Sequence, residues 1–483
     1  MPEDTITIDG EYATVEIKAT NVDEATLDQV ESIADHEAFR NDIRVMPDAH
    51  AGAGAVIGFT MPLGERICPN TVGVDIGCGM TAFDLGEQPH DRLQDDPAAV
   101  DRAIRERVPL GADTFGDVDE AVDFHMIDDF PWDECERKVR QLTEHNDVGI
   151  SVDAEFGGEY FTDLCERVGY SQRRAINSVG TLGGGNHFVE VARSEETGHY
   201  WVVVHSGSRG IGLTIAQYWQ DRATELCDDR ADRAREALAE VPEFAYKFDL
   251  DSVSDATLVT WLLGGRGEDW KATDEIRTRL NGEEISDLVD DLRDIGRMVE
   301  AAGDDDGDDL DYLSGAAREG YLRDMVFAQT YAAVSRRRMA EAVADVLDAE
   351  VLDSVVSTHN YVDFEDLVIR KGATRVHEGE RGVIPFNMRD GAVLVRGLGN
   401  EDWHRSAPHG AGRRGSRRWA FDEFDVKTFR EEMRDVYSSS VTEATLDEAP
   451  MAYKDTDGIL SALEATATVE ETLTPVLNVK AEE

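Results

Sequence analysis

The sequence predicts an α/β fold (α+β mixed): a single large body across residues 1–483, with central mixed β-structure surrounded by helices. Two observations carry that expectation. Gly-rich, apolar blocks of short strands and tight turns lie at 44–80, 178–212 and 351–418, and helical stretches separate them. No internal repeat and no Pro/Ser-rich linker divides the chain, so interlocked layers fit better than beads on a string.

Taken in order, residues 1–20 alternate as a strand would, and Asn21–Phe39 reads as an Asp/Glu-rich helix. Arg44–Met80 reads as short buried strands. Residues 94–170 return to helices, for example Pro97–Val108 and Trp132–His145. Tyr200–His205 is a strand, followed by a long helical stretch over 211–240. Helices are expected over 247–312, with the acidic run Asp304–Asp311 as a surface loop without chemistry. Leu322–Leu347 is an amphipathic helix, and 419–483 mixes helix and strand.

Apolar residues make up 41% of the 483, enough for a sizeable core. No apolar run reaches the roughly eighteen residues of a membrane span, and the N-terminal residues lack a signal-peptide pattern, so the cytoplasm is expected. The five cysteines (68, 78, 135, 165 and 227) are scattered and show no C-x-x-C spacing, which argues against a disulfide framework or a zinc ribbon. Against 101 acidic residues stand 48 basic ones, a formal charge of −53. The acid is spread over the whole length, as in a protein solvated for high salt, where repulsion is screened within a few ångströms. It therefore does not exclude a nucleic-acid partner.

Val72–Met80, V-G-V-D-I-G-C-G-M, places Asp75 and Cys78 on a glycine-flanked turn. A hard oxygen ligand beside a soft sulfur suits a divalent metal, or two bridged by the thiolate; a capping Asp beside a packed core Cys is the alternative. His187, His205, His359 and His409 all lie in Gly-rich or strand-end contexts, whereas His36, His90, His125 and His145 sit in acidic text that reads as surface. Imidazole, thiolate and carboxylate together form a transition-metal ligand set, and without structural-zinc spacing a catalytic site with open positions is the better reading.

His409 precedes G-A-G-R-R, where small residues allow close backbone approach and Arg413 or Arg414 can neutralise phosphoryl oxygens. An imidazole nitrogen there is a competent nucleophile toward phosphorus. A basic surface turn is the plainer alternative. G-x-G-x-x-G and G-x-x-x-x-G-K-[ST] are both missing, so neither a Rossmann nor a P-loop device is expected. H-S-G-S-R-G (205–210) lacks G-x-S-x-G, which leaves Ser206 and Ser208 weak nucleophile candidates.

With these blocks assembled, the chain resembles the RtcB family of RNA-splicing ligases. M-P-D-A-H-A-G-A-G, G-V-D-I-G-C-G-M, G-G-G-N-H-F-V-E, V-H-S-G-S-R-G, T-H-N-Y-V, R-K-G-A-T, H-G-A-G-R and A-Y-K (452–454) occur in the family's order from residue 46 onward. The resemblance implies two Mn(2+) ions per site and GTP as co-substrate. It implies joining of RNA 2′,3′-cyclic phosphate or 3′-phosphate ends to 5′-hydroxyl ends, most simply of tRNA exon halves, with archease as a possible activator. On that basis Asp75, Cys78, His187, His205 and His359 hold the metals, with the thiolate bridging, and His409 is guanylylated.

The resemblance assigns the GTP site to Asn186, His187, Phe188, Val189, Glu190, His359, Asn360, Pro385, Phe386, Asn387, Met388, Ala392, His409, Gly410, Ala411, Gly412 and Lys480. Glu190 and Lys480 read the guanine edge, as a carboxylate and an ammonium complement its donors and O6. Arg209 and Arg413 are candidates for RNA phosphates. Two departures bear on the nucleotide: P-F-N-M (385–388) replaces the family's P-G-S-M, and Ala392 stands in place of a serine. An end-repair or guanylyl-capping paralogue, a dinuclear phosphoesterase and a non-catalytic RNA-binding module are the competing readings.

Overall fold

The central sheet has seven strands in the order Asp353–Thr358, Gly79–Asp84, Tyr200–Ser206, Phe188–Ser194, Ala467–Lys480, Ala392–Gly397 and Arg381–Pro385, with every neighbouring pair antiparallel. Successive side chains of a strand point to opposite faces. Phe83, Val189, Val191, Val202, Val204, Leu477 and Val479 accordingly share one face with Met339, Val343 and Leu347 of the helix Gly315–Leu347. Met80, Ala82, Ala192, Trp201, Val203, Leu394 and Leu473 pack together on the other. The two edge strands meet, since the Val383 N–H donates to Ser357 Oγ at 2.8 Å. The sheet therefore comes close to a barrel with the second set of residues inside.

This computed structural model describes residues 5–19, 22–111, 129–144, 150–153, 155–227, 235, 238–239 and 309–481. The chain divides into two compact units, Met1–Gln220 with Leu313–Glu483, and Asp221–Tyr312. All the residues singled out for chemistry belong to the first. The helices expected over 247–308, most of the acidic run Asp304–Asp311, His125 and His145 lie outside the described residues. Among the described residues, no helix is long and apolar enough to cross a membrane.

One irregularity decides what the barrel mouth contains. Leu473 and Pro475 pair with Ser194 and Ala192, but the register shifts by one residue before Leu477 meets Val191. An extra residue in one strand flips the facing of all that follow it. Asn478 and Lys480 therefore turn inward opposite Glu190 and Phe188, while Leu477 and Val479 join the outer core. Tyr437 secures the bulge, donating from its N–H to Val476 O at 3.1 Å and accepting from Asn478 N–H at 3.0 Å.

A second sheet runs Ile6–Asp9, Thr14–Ile17, Ile43–His50, Ile57–Pro62, Val368–Lys371 and Asn360–Asp363. Only the pairing of Thr14–Ile17 with Ile43–His50 is parallel. His359 is the single residue between Asp353–Thr358 of the first sheet and Asn360–Asp363 of the second. Its N–H donates to Cys78 O at 2.9 Å and its carbonyl accepts from Gly372 N–H at 2.7 Å. The step between sheets is thus pinned at a candidate ligand.

Several expected elements keep nearly their expected bounds: Glu24–Ala34 capped by Asp23, Pro97–Arg107 and Trp132–Glu144. The first strand is instead a pair, Ile6–Asp9 and Thr14–Ile17, broken where Gly10 lies against Ala34. The amphipathic helix is also longer than expected, Gly315–Leu347. From Asp324 to Ala332 it is buried all round, and only its last three turns show the stripe Ser335, Arg336, Met339, Ala340, Val343, Ala344 and Leu347.

Arg336 lies in that stripe, 1 % exposed, and donates to Gly77 O at 2.5 Å and Ser206 O at 2.8 Å. Burial draws its guanidinium down to about 10. It ties the turn carrying Cys78 to the strand end carrying His205. Replacing Arg336 by Met should lower the unfolding free energy by about 2–4 kcal/mol, because two buried carbonyls lose their donor. Denaturant unfolding of the two proteins measures this, and equal stability would show that the carbonyls are satisfied otherwise.

Candidate functional site

The turn at 73–79 and the strand ends around it bring five of the predicted side chains into one cluster. Cys78 Sγ lies 3.2 Å from His205 Nε2 and 3.7 Å from His187 Nε2. His187 Nε2 is 3.0 Å from Asp75 Oδ2, and His205 Nε2 is 3.3 Å from His359 Nε2. Two groups able to hold a metal ion result, Cys78–His205–His359 and Asp75–Cys78–His187, with ligand atoms within 4.8 Å of one another. Cys78 belongs to both.

The outer nitrogens of two rings are tied back to the backbone. His205 Nδ1 is 3.2 Å from Asn186 O, and His187 Nδ1 is 3.2 Å from Leu182 O. The carbonyl beside His205 favours its Nδ1–H tautomer and leaves its Nε2 lone pair directed at the thiol, whereas His187 Nε2 faces the Asp75 carboxylate first. Burial, and then His187, lowers His205 to about 3; burial, and then His409, pushes His359 well below the ordinary imidazole value. His205 and His359 are therefore neutral at physiological pH.

Burial, and then the Asp75 charge, drives the Cys78 thiol well above its ordinary value. Asp75 goes the other way: burial raises its carboxyl, but His187 and the thiol beside it hold it below the usual carboxylate range. A carboxylate facing a thiol that cannot ionise unaided is a site whose electrostatics call for a cation.

Room for this arrangement depends on glycine. A Cβ at Gly207 would come within 1.9 Å of Asp75 Oδ1, and one at Gly183, where φ is +82°, within 1.8 Å of Arg209 Nη2. Arg209 itself holds φ at +59° and places Nη1 3.3 Å from His187 Nδ1. It lines the cluster rather than the outer surface.

His409 stands just outside the cluster, its ring centroid 5.1 Å from that of His359. Its Nδ1 is 2.7 Å from Asp48 Oδ2, and Asp48 is fully buried. Beside it opens a cleft at the barrel mouth. Of the predicted nucleotide residues, Asn186, Phe188, Glu190, His359, Pro385, Phe386, Asn387, Met388, His409, Gly410, Ala411 and Lys480 line it. His187, Val189, Asn360, Ala392 and Gly412 are not in its wall. Val189 faces the outer core and Ala392 packs inside the barrel near Leu473.

Several contacts differ from the simplest expectation. Lys480 Nζ binds Glu448 instead of standing free beside Glu190. Glu448 also accepts from Tyr453 Oη at 2.5 Å and from Arg413 Nη1 at 3.1 Å. Arg413 is thus turned onto Glu448 and the Asp447 carbonyl. The Ala411 N–H donates to Pro385 O at 3.1 Å. Phe386 is 4 % exposed among Ile384, Val393 and Ala407, so most of the added bulk of P-F-N-M is absorbed by the core. Asn387 closes its own turn, accepting from the N–H groups of Arg389 and Asp390. Burial pushes Glu190 up to about 8, against the opposing influence of Asn478 and Lys480.

Asp48, Glu448, Tyr453 and Asn478 were not predicted as site residues. Asp48 and Tyr453 lie inside quoted motifs, M-P-D-A-H and A-Y-K, so a signal was present. Asn478 shares the face of Lys480 two residues away, a strand-parity signal available in the sequence. Glu448 gives none.

Comparison with known proteins gives the family. The family model described as "tRNA-splicing ligase RtcB" matches residues 29–249 and 301–481. The chain is 29% identical over 458 residues to the RNA-splicing ligase RtcB of Escherichia coli (strain K12), covering 91% of this chain and 90% of that protein. It is 25% identical over 503 residues to the tRNA-splicing ligase RtcB of Aeropyrum pernix, covering 91% and 88%. A mixed α/β body with a Cys/His/Asp cluster at a barrel mouth is the class that the fold and the site define. Within it, the chain belongs to the RtcB family.

The close approach at Gly207 yields a direct expectation. Gly207→Ala should displace Asp75 and weaken divalent-metal uptake at least about tenfold, in line with losses seen when metal-ligand support is removed. Equilibrium dialysis against Mn(2+) measures it. Unchanged uptake would remove Asp75 from the ligand set.

Proposed function

We propose that the protein is an RNA ligase that joins RNA 2′,3′-cyclic phosphate or 3′-phosphate ends to 5′-hydroxyl ends with GTP, through a guanylate carried on His409. One observation supports this above the others: His409 is held by buried Asp48 at the edge of a five-residue Asp/Cys/His cluster and lines the cleft at the barrel mouth. Membership of a family whose named relatives are RNA-splicing ligases gives it the reaction class.

The donor set fits two Mn(2+) ions, with Cys78 common to both, because it offers neutral imidazoles, a carboxylate and a thiol whose ionisation needs positive charge. Such ions, when bound, supply Lewis-acid charge for phosphoryl oxygens. The chain's own part follows from its contacts. Asp48 accepts the Nδ1–H of His409 and so fixes the tautomer that leaves Nε2 as the nucleophile.

Nε2 attacks the α-phosphorus of GTP, a P–N bond forms, and the bond to pyrophosphate breaks. An oxygen of the RNA 3′-phosphate then displaces His409, which recovers its lone pair, and the guanylate sits on the RNA end. The 5′-hydroxyl attacks that activated phosphate, gives up its proton, and releases GMP as the phosphodiester closes. A cyclic phosphate must be hydrolysed to the 3′-phosphate before this sequence can begin.

Asn186 is exposed in the cleft wall, where its side chain can meet the nucleotide phosphate. Glu190 meets guanine as an acceptor once its carboxyl ionises. With tRNA exon halves as substrate, a cytoplasmic location and an archease-type activator are further parts of this proposal, supported by the family alone.

Incubation with GTP, Mn(2+), a cyclic-phosphate-ended RNA and a 5′-hydroxyl RNA should give the joined product. Asp48→Asn should slow joining by about a hundredfold or more, since the amide cannot accept the Nδ1 proton as a carboxylate does. Opening of the cyclic end by the wild type without joining would contradict the ligase reading and favour a phosphoesterase.

A further inference from the structure

The cleft contains a polar pair that the assignment above leaves unexplained. Asn478 and Glu190 are register partners across two antiparallel strands, and they are 1 % and 2 % exposed. Asn478 Nδ2 donates to Glu190 Oε2 at 2.9 Å, which sets the orientation of the amide. Its Oδ1 then has no hydrogen-bond partner among the described residues. A buried carbonyl oxygen left unmatched costs free energy that an apolar side chain would avoid. Leu477 and Val479, its neighbours in the strand, are apolar.

The residue that carries this oxygen belongs to the cleft wall and not to the outer core. Asn478 lines the same wall as Phe188, Glu190 and Lys480, and the bulge after Pro475 is what turns it there. Lys480 brings donors, but its Nζ is turned to Glu448 and to Asn186 O at 3.5 Å and not to Oδ1.

Guanine's polar edge carries O6 and three N–H hydrogens, one on N1 and two on N2. A carboxylate can accept the N1–H and one N2–H, which leaves the second N2–H in need of an acceptor. We infer that Asn478 is a specificity-determining residue that selects 2-aminopurine nucleotides: its Oδ1 accepts from the N2 amine of guanine while its Nδ2 holds Glu190 in place. The inference rests on the reading of the cleft as the GTP site. Hypoxanthine isolates the effect, because it keeps O6 and N1–H and lacks only the amine. Adenine lacks the N1–H as well.

The test is competition of GTP, ITP and ATP against labelled GTP for the Mn(2+)-loaded protein. It is run on wild type, on Asn478→Ala, and on Asn478→Leu, which keeps the branching at Cγ and removes both polar atoms. Wild type should prefer GTP to ITP by about tenfold or more, since a site built to bond an amine rejects the analogue without it. In both variants that preference should shrink to about twofold, while ITP still outcompetes ATP through Glu190.

Equal weakening of GTP and ITP in the variants, with their ratio kept, overturns the inference and leaves Asn478 only as a support for Glu190. Wild type that binds GTP but accepts ITP equally well overturns it without any variant. Wild type that binds no guanine nucleotide overturns the cleft reading itself, and the inference with it.

Discussion

Cys78 lies where a thiolate cannot persist alone. It is 2 % exposed, faces the Asp75 carboxylate, and its thiol is driven well above the ordinary value by burial and by that charge. The Arg336 charge offsets part of this, but its hydrogen bonds go to the Gly77 and Ser206 carbonyls and not to the thiol. A fold that held this thiol only for packing would have no reason to surround it with three imidazoles and a carboxylate. The electrostatic deficit is the constraint around which the turn, the barrel mouth and the sheet junction are arranged.

Three different backbone devices meet that constraint. Glycines remove Cβ atoms where Asp75 and Arg209 need space. A one-residue step between two sheets delivers His359, held by its own N–H on Cys78 O. Strand parity delivers His205, Phe188 and Glu190 to the inside of the barrel, and a bulge adds Asn478 and Lys480 from a strand that would otherwise turn them outward. Each device is local, and together they place His409, a metal-capable cluster and the cleft side by side.

The cluster was legible in the sequence because its residues sit in glycine-rich text where core packing cannot account for Cys, His and Asp together. Pro97–Arg107 and Trp132–Glu144 were legible from helical periodicity. The bulge was not: T-L-T-P-V-L-N-V-K has no glycine to mark it, and Pro475 gives only a weak sign. Glu448 was hidden for a related reason, as one acid among 101 acidic residues carries no signal until Lys480, Arg413 and Tyr453 converge on it. Asp48 could be read only as part of a motif, because its role depends on a partner 361 residues away.

A covalent nucleotide on His409, oriented by Asp48, can be read out by incubating wild type and His409→Ala with α-labelled GTP and Mn(2+) and separating them under denaturing conditions. Label should stay on wild type and be absent from His409→Ala. Unlabelled wild type, or equal labelling of the two proteins, would rule out His409 as the carrier.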